Sequence, residues 1–137
     1  MLSGERKVER DVPPALGIIP ITQNRGSFIR VYLEDIDGDG TPEAVTPNKG
    51  AQRPGPDDYA RSTPVSIFKV RGDPLVGSNW EEQILGRYSV PRNSEPFDLD
   101  QDGDLDILVG STGERRIIFF ENVDAANMEF VEHAVGI

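Results

Sequence analysis

The stretch Phe97-Asp98-Leu99-Asp100-Gln101-Asp102-Gly103-Asp104-Leu105-Asp106-Ile107-Leu108-Val109-Gly110 decides the reading of this chain. Counted from Asp98, it sets carboxylates at positions 1, 3, 5 and 9 of a tight loop with glycine at position 6, then runs into a short apolar strand. A weaker copy stands earlier: Asp35-Ile36-Asp37-Gly38-Asp39-Gly40-Thr41-Pro42-Glu43-Ala44-Val45. Two such loops, each leading into β-type residues, predict a tandem array with a cation site in each unit.

Calcium suits these loops best. It is a hard cation that takes six to eight oxygen ligands at about 2.3–2.6 Å. Alternate side chains of such a loop point inward, and the glycine supplies the positive φ of the sharp turn. In the second loop Asp98, Asp100, Asp102 and Asp106 are the expected carboxylate ligands, with a backbone oxygen from Asp104. In the first, Asp35, Asp37, Asp39 and Glu43 take those places and Thr41 gives the backbone oxygen. Glu43 is one methylene longer than Asp106, so the first site is expected to be weak or distorted. An EF-hand is excluded, because position 12 holds Thr46 or Val109 instead of a bidentate Glu. Magnesium prefers a small octahedral shell that keeps several waters. Zinc favours Cys and His, and the chain has no Cys and one His. Without an ion the loops are Asp/Gly turns bonded to their own backbone, and the acids from Asp98 to Asp106 then repel one another.

The 137 residues allow one modest domain with a core. Fourteen Gly and 11 Pro, with no sustained helical apolar spacing, favour a turn-rich all-β architecture. The net charge of −10 is concentrated in the two loops and argues against nucleic-acid binding, which needs a basic face. Without Cys there is no disulfide or thiol chemistry. No secretory leader is visible at Met1–Arg10, and no apolar run reaches membrane-spanning length, so no membrane insertion is expected.

Repeated four-strand units can be marked along the chain. The first has strands over 28–33, 44–46, 65–70 and 80–85; the second has 95–97, 106–109, 116–121 and 130–135. Val8–Val12 resembles the last strand of each unit, so residues 1–27 read as a partial unit, followed by units over 28–90 and 91–137. The segment Gly50–Thr63 is an insertion without secondary structure of its own, in which Arg53, Asp57, Asp58, Tyr59 and Arg61 are candidates for a ligand site. Trp80, Tyr88 and Phe97 are expected in the core between units. His133, the sole histidine, is expected to be structural. No catalytic residue can be assigned: there is no Gly-x-Ser-x-Gly elbow, and Gly110-Ser-Thr-Gly113 lacks the lysine of a phosphate loop.

These residues together resemble the FG-GAP/VCBS repeat family, the integrin-α-type β-propeller blades. In that family a loop of the Asp-x-Asp-x-Asp-Gly-x-x-Asp type links the first two strands of a blade and binds calcium. Asp98–Asp106 with Ile107–Gly110 matches it closely, and Asp35–Glu43 matches except at Glu43. Ile117–Asn122 and Phe130–His133 resemble the family's third and fourth strands, and the likeness covers about residues 28–137. It implies a segment of a larger propeller, completed by further blades of a longer chain or by self-association. It also implies structural calcium, an extracellular or cell-surface setting, and a protein or carbohydrate ligand. An alternative implication is part of a carbohydrate-active propeller enzyme, of the polysaccharide lyase or sugar dehydratase type, with its site on the loop face. A third is an adhesion module of integrin type.

Overall fold

The structure, a computed structural model, describes residues 20–22 and 25–135. It is all-β, with two antiparallel meander sheets stacked face to face. The first sheet holds β1 (Ser27–Phe28), β2 (Tyr32–Glu34), β3 (Glu43–Gly50), β4 (Thr63–Val70) and β5 (Trp80–Tyr88). The second holds β6 (Pro91–Phe97), β7 (Asp106–Ser111), β8 (Arg116–Asp124) and β9 (Glu129–Val135) in that spatial order. The strand expected over Val8–Val12 lies outside the described residues.

β1 and β2 are two pieces of one edge strand, since both pair with β3. The sequence reads 28–33 as continuous, but Arg30 takes a φ of 52° and interrupts the ladder. The Ile29 amide still reaches the Pro47 carbonyl at 3.2 Å, and the Thr46 hydroxyl donates to the Ile29 carbonyl, so the break remains tied to the sheet. The first sheet is thus four-stranded in outline.

Strand alternation builds the core. Val45, Val65 and Ile67 project from one face of the first sheet and are fully buried with Ile107, Val109, Ile118 and Phe120 of the second. Tyr88 closes this cluster, and its hydroxyl donates to Glu132 across the sheets at 2.8 Å. Gln83 spans the same junction, donating to the Met128 carbonyl at 2.8 Å. The sheets stack in sequence instead of mirroring each other. Ala44 pairs with Phe68 as Ile107 pairs with Phe120, so the register positions of Val45 and Ile67 correspond to Leu108 and Phe119. The first sheet buries the former pair at the junction, whereas the second turns the latter pair away from it.

Two expectations need correction. The insertion contains a short helix, α1 (Pro56–Tyr59), with Asp58 accepting from the Gly55 amide and paired to Arg61 at 2.6 Å. Phe97 lies outside the core at 59% exposure, because it ends β6 where the chain turns into the acidic loop. Trp80 is half-buried, its indole N–H donating to the Pro74 carbonyl.

Candidate metal centres

Both acidic loops join the first strand of a sheet to its second, at the same end of the two sheets. Their backbones follow one plan. Gly38 and Gly40 take φ of 76° and 93°; Gln101 and Gly103, at the corresponding places, take 60° and 97°. The first Asp accepts two turns of amides. Asp35 accepts from Asp39 at 3.1 Å and Gly40 at 2.9 Å, and Asp98 accepts from Asp102 at 3.1 Å and Gly103 at 2.9 Å. The third Asp accepts the amide two residues on, at 2.9 Å in both: Thr41 to Asp39, and Asp104 to Asp102. The last acid reaches back to the second loop residue. Glu43 accepts from the Ile36 amide at 2.6 Å and Asp106 from the Leu99 amide at 2.9 Å. Glu43 is fully buried and Asp106 is 1% exposed, so each anchors its loop to the sheet. Asp106 also accepts from the Asn122 amide at 2.9 Å, which ties the second loop to β8.

These amide-to-carboxylate bonds orient the turns so that the carboxylates converge. In the first loop Asp35, Asp37, Asp39 and Glu43 form one cluster with oxygens within 4.8 Å of one another. In the second, Asp98, Asp100 and Asp106 do so. Asp102 stands outside that trio, with one oxygen engaged by the Asp104 amide; Asp104 is half-buried and also lies outside it. Thr41 stands in the first loop with its amide bonded to Asp39. Either acidic cluster offers the hard oxygen donors that a divalent cation takes.

The electrostatics of the two loops differ. Lys69, on β4 and 8% exposed, sends its ammonium into the first cluster. Its Nζ lies 2.6 Å from Asp37 Oδ2, 2.7 Å from Asp39 Oδ2 and 3.1 Å from Glu43 Oε2. Burial opposes the charge on Lys69, but the three carboxylate hydrogen bonds outweigh it, so its pKa lies above the ordinary lysine value. The Lys69 hydrogen bond, with the Thr41 amide, in turn holds Asp39 below the usual carboxylate range. In the second loop the shift runs the other way. Desolvation, a hydrogen bond with Asp102 and the charge of Asp106 push Asp100 up. Among the described residues no Lys or Arg pairs with an acid of this loop. In register, the place of Lys69 is taken by Glu121, which turns to His133 at 2.9 Å.

Sequence reasoning passed over Lys69, which lies 32 residues from Asp37 on a strand of ordinary alternation. Superposing the two units in register would have exposed it, since only the first has a basic residue there. It also passed over a second network: Arg25 grips Glu82 with two hydrogen bonds of 2.6 and 2.9 Å, and Ser66 donates to the same carboxylate. The Arg25 contact holds Glu82 below its ordinary pKa against its partial burial.

The insertion candidates do not converge. Arg61 and Asp58 line a cavity of about 450 Å³ with Arg25 and Lys49, but Arg53, Asp57 and Tyr59 are not among its walls. His133 stacks on Phe119 at 5.6 Å between ring centres while pairing with Glu121, which fits a structural role. No helix among the described residues is long and apolar enough to cross a membrane. Comparison with protein-family models, with curated proteins and with solved structures finds no match to this chain.

Proposed function

We propose that this chain is a pair of propeller blades of the FG-GAP/VCBS type, in which a calcium ion clamps an acidic strand-to-strand loop and the assembly serves as an interaction module. The observation that carries this reading is the repetition of five amide-to-carboxylate hydrogen bonds in the acidic loop at the same corner of two stacked meanders. In the second loop an ion would bind among Asp98, Asp100 and Asp106, offsetting the desolvation and the acidic neighbours that raise Asp100. Binding to the folded state alone adds stability as RT ln(1 + [L]/Kd). Calcium modules outside cells work with sites of roughly 10⁻⁴–10⁻³ M, which suits an extracellular or cell-surface setting.

The sequential stacking supports further blades as partners. Ile117, Val131 and Val135, on the Leu108–Phe119 face of the second sheet, are 38–44% exposed. This face matches in register the one that the first sheet buries, so it takes another sheet, from a longer chain or from a second copy. The ligand of the assembled module is a protein or a carbohydrate.

Thermal melting in EDTA and in millimolar calcium tests the reading, on the parent and on Asp100→Ala with Asp102→Ala. A calcium-dependent rise in the parent, lost in the double variant, supports it. No calcium response in the parent refutes it.

A further inference from the structure

The two loops share a backbone plan and differ in what neutralises them. An ammonium has three N–H donors and no acceptor. The three short contacts of Lys69 fall on three carboxylates of the first loop, so its donors are saturated. They fall on three of the four carboxylates that an ion in this loop would use, since Asp37, Asp39 and Glu43 all belong to its acidic cluster. Lys69 cannot swing aside cheaply: its backbone pairs with Glu81 on β5 next to the Phe68–Ala44 pair with β3, and its side chain is about nine-tenths buried. A divalent ion entering this loop would have to break three charge-assisted hydrogen bonds and leave a buried ammonium unpaired, a costly exchange.

We infer that the Lys69 ammonium is the resident cation of the first loop: it holds Asp37, Asp39 and Glu43 together without metal and keeps divalent ions out. The chain therefore carries one built-in cation site and one exchangeable one. Calcium dependence is confined to the second loop, and the corner formed by β2 and β3 stays closed when calcium is withdrawn. The exclusion of ions deepens the calcium reading above and rests on it. The metal-free role of Lys69 does not, because it is read in EDTA.

The test uses the full chain with the second loop disabled by Asp100→Ala and Asp102→Ala, so that any remaining metal response comes from the first loop. In EDTA, adding Lys69→Met to this background is expected to lower the melting midpoint by about 10 °C, the size of losing one partner of a buried pair in a chain of this length. Millimolar calcium is expected to leave the Lys69 background unmoved and to raise the midpoint of the Lys69→Met form. Calcium stabilisation of the Lys69 background, or an unchanged midpoint on Lys69→Met in EDTA, overturns the inference. Should Lys69→Met fail to fold, the unaltered chain decides by NMR. The Lys69 ammonium protons should be protected from solvent exchange in EDTA and stay so in calcium. Fast exchange, or loss of the signal on adding calcium, overturns it. If the parent shows no calcium response at all, the calcium reading fails, while the EDTA measurements still judge Lys69.

Discussion

The first and second loops place the same backbone around opposite electrostatic states. In the first, Asp39 is held low by an ammonium supplied from a neighbouring strand; in the second, Asp100 is pushed up by desolvation and by its acidic neighbours. The difference shows that an Asp-rich turn does not by itself specify a metal site. One strand away, Lys69 brings a cation to the first loop, whereas Glu121, at the matching register position, turns to His133. A motif confined to nine residues misses this, because the deciding side chain arrives through sheet register.

The comparison can be broken most forcefully at the anchoring acids. Glu43→Ala removes a fully buried carboxylate that caps the Ile36 amide and pairs with Lys69. It is expected to cost about 3–5 kcal/mol, since a buried charge loses a partner, with the same loss in EDTA and in calcium. Asp106→Ala strips acceptors from the Leu99 and Asn122 amides. It should cost about 1–3 kcal/mol for each amide left buried and unpaired, and should also abolish the calcium response. Denaturant titration of both variants, with and without calcium, checks the contrast. Equal calcium sensitivity would break it.

A change of sign sharpens it further. Asp100→Asn removes a charge that the metal-free loop resists, so it should raise the melting midpoint in EDTA. In calcium it exchanges a charged ligand for a neutral amide oxygen and should lower the midpoint relative to the parent. The matching substitution Asp39→Asn should lower the midpoint under both conditions, because it takes an acceptor from Lys69.

The pH dependence follows from the same shifts. The folded-state pKa of Asp100 is raised, so its ionisation destabilises the metal-free fold as pH climbs above the ordinary aspartate value, and that destabilisation is relieved as pH falls. Asp39 and Glu82 have lowered folded-state values, so their stabilisation is complete above their unfolded pKa values and is lost only as pH falls through the folded ones. In EDTA, lowering the pH through the mildly acidic range should therefore stabilise the parent slightly before deeper acid destabilises it. The early gain should vanish in Asp100→Asn, which denaturant midpoints at successive pH values would show.

The smallest effect concerns Gln101, which holds the positive φ that Gly38 holds in the first loop. Gln101→Gly should relieve left-handed strain and stabilise the chain by about 0.5 kcal/mol, the net of backbone relief and added unfolded-state freedom. Gly38→Gln should lose a similar amount.

Much of this architecture was legible in the sequence. The two Asp/Gly loops and the alternating runs Val65–Val70 and Arg116–Glu121 mark strands and corners through local chemistry, and those elements stand where they were expected. What escaped notice depends on contacts distant in sequence. The edge strand breaks at Arg30, where no glycine announces a positive φ. The insertion winds a turn of helix at Pro56–Tyr59, stabilised by the local pair of Asp58 and Arg61. Aromatic character alone placed Phe97 in the core, but its position at the loop mouth exposes it. The extra methylene of Glu43 predicts a weakened ligand; in the fold this side chain accepts from the Ile36 amide and meets Lys69.

The central claim is that one of two like-shaped loops takes an exchangeable ion and the other carries its own. An amide-resolved NMR titration of the unaltered chain with calcium tests it most directly, using Gly103 and Gly40 as reporters of the two loops. The account predicts that Gly103 shifts and saturates at one equivalent of calcium while Gly40 stays in place. Movement of both glycines with two equivalents bound, or of neither, would contradict it.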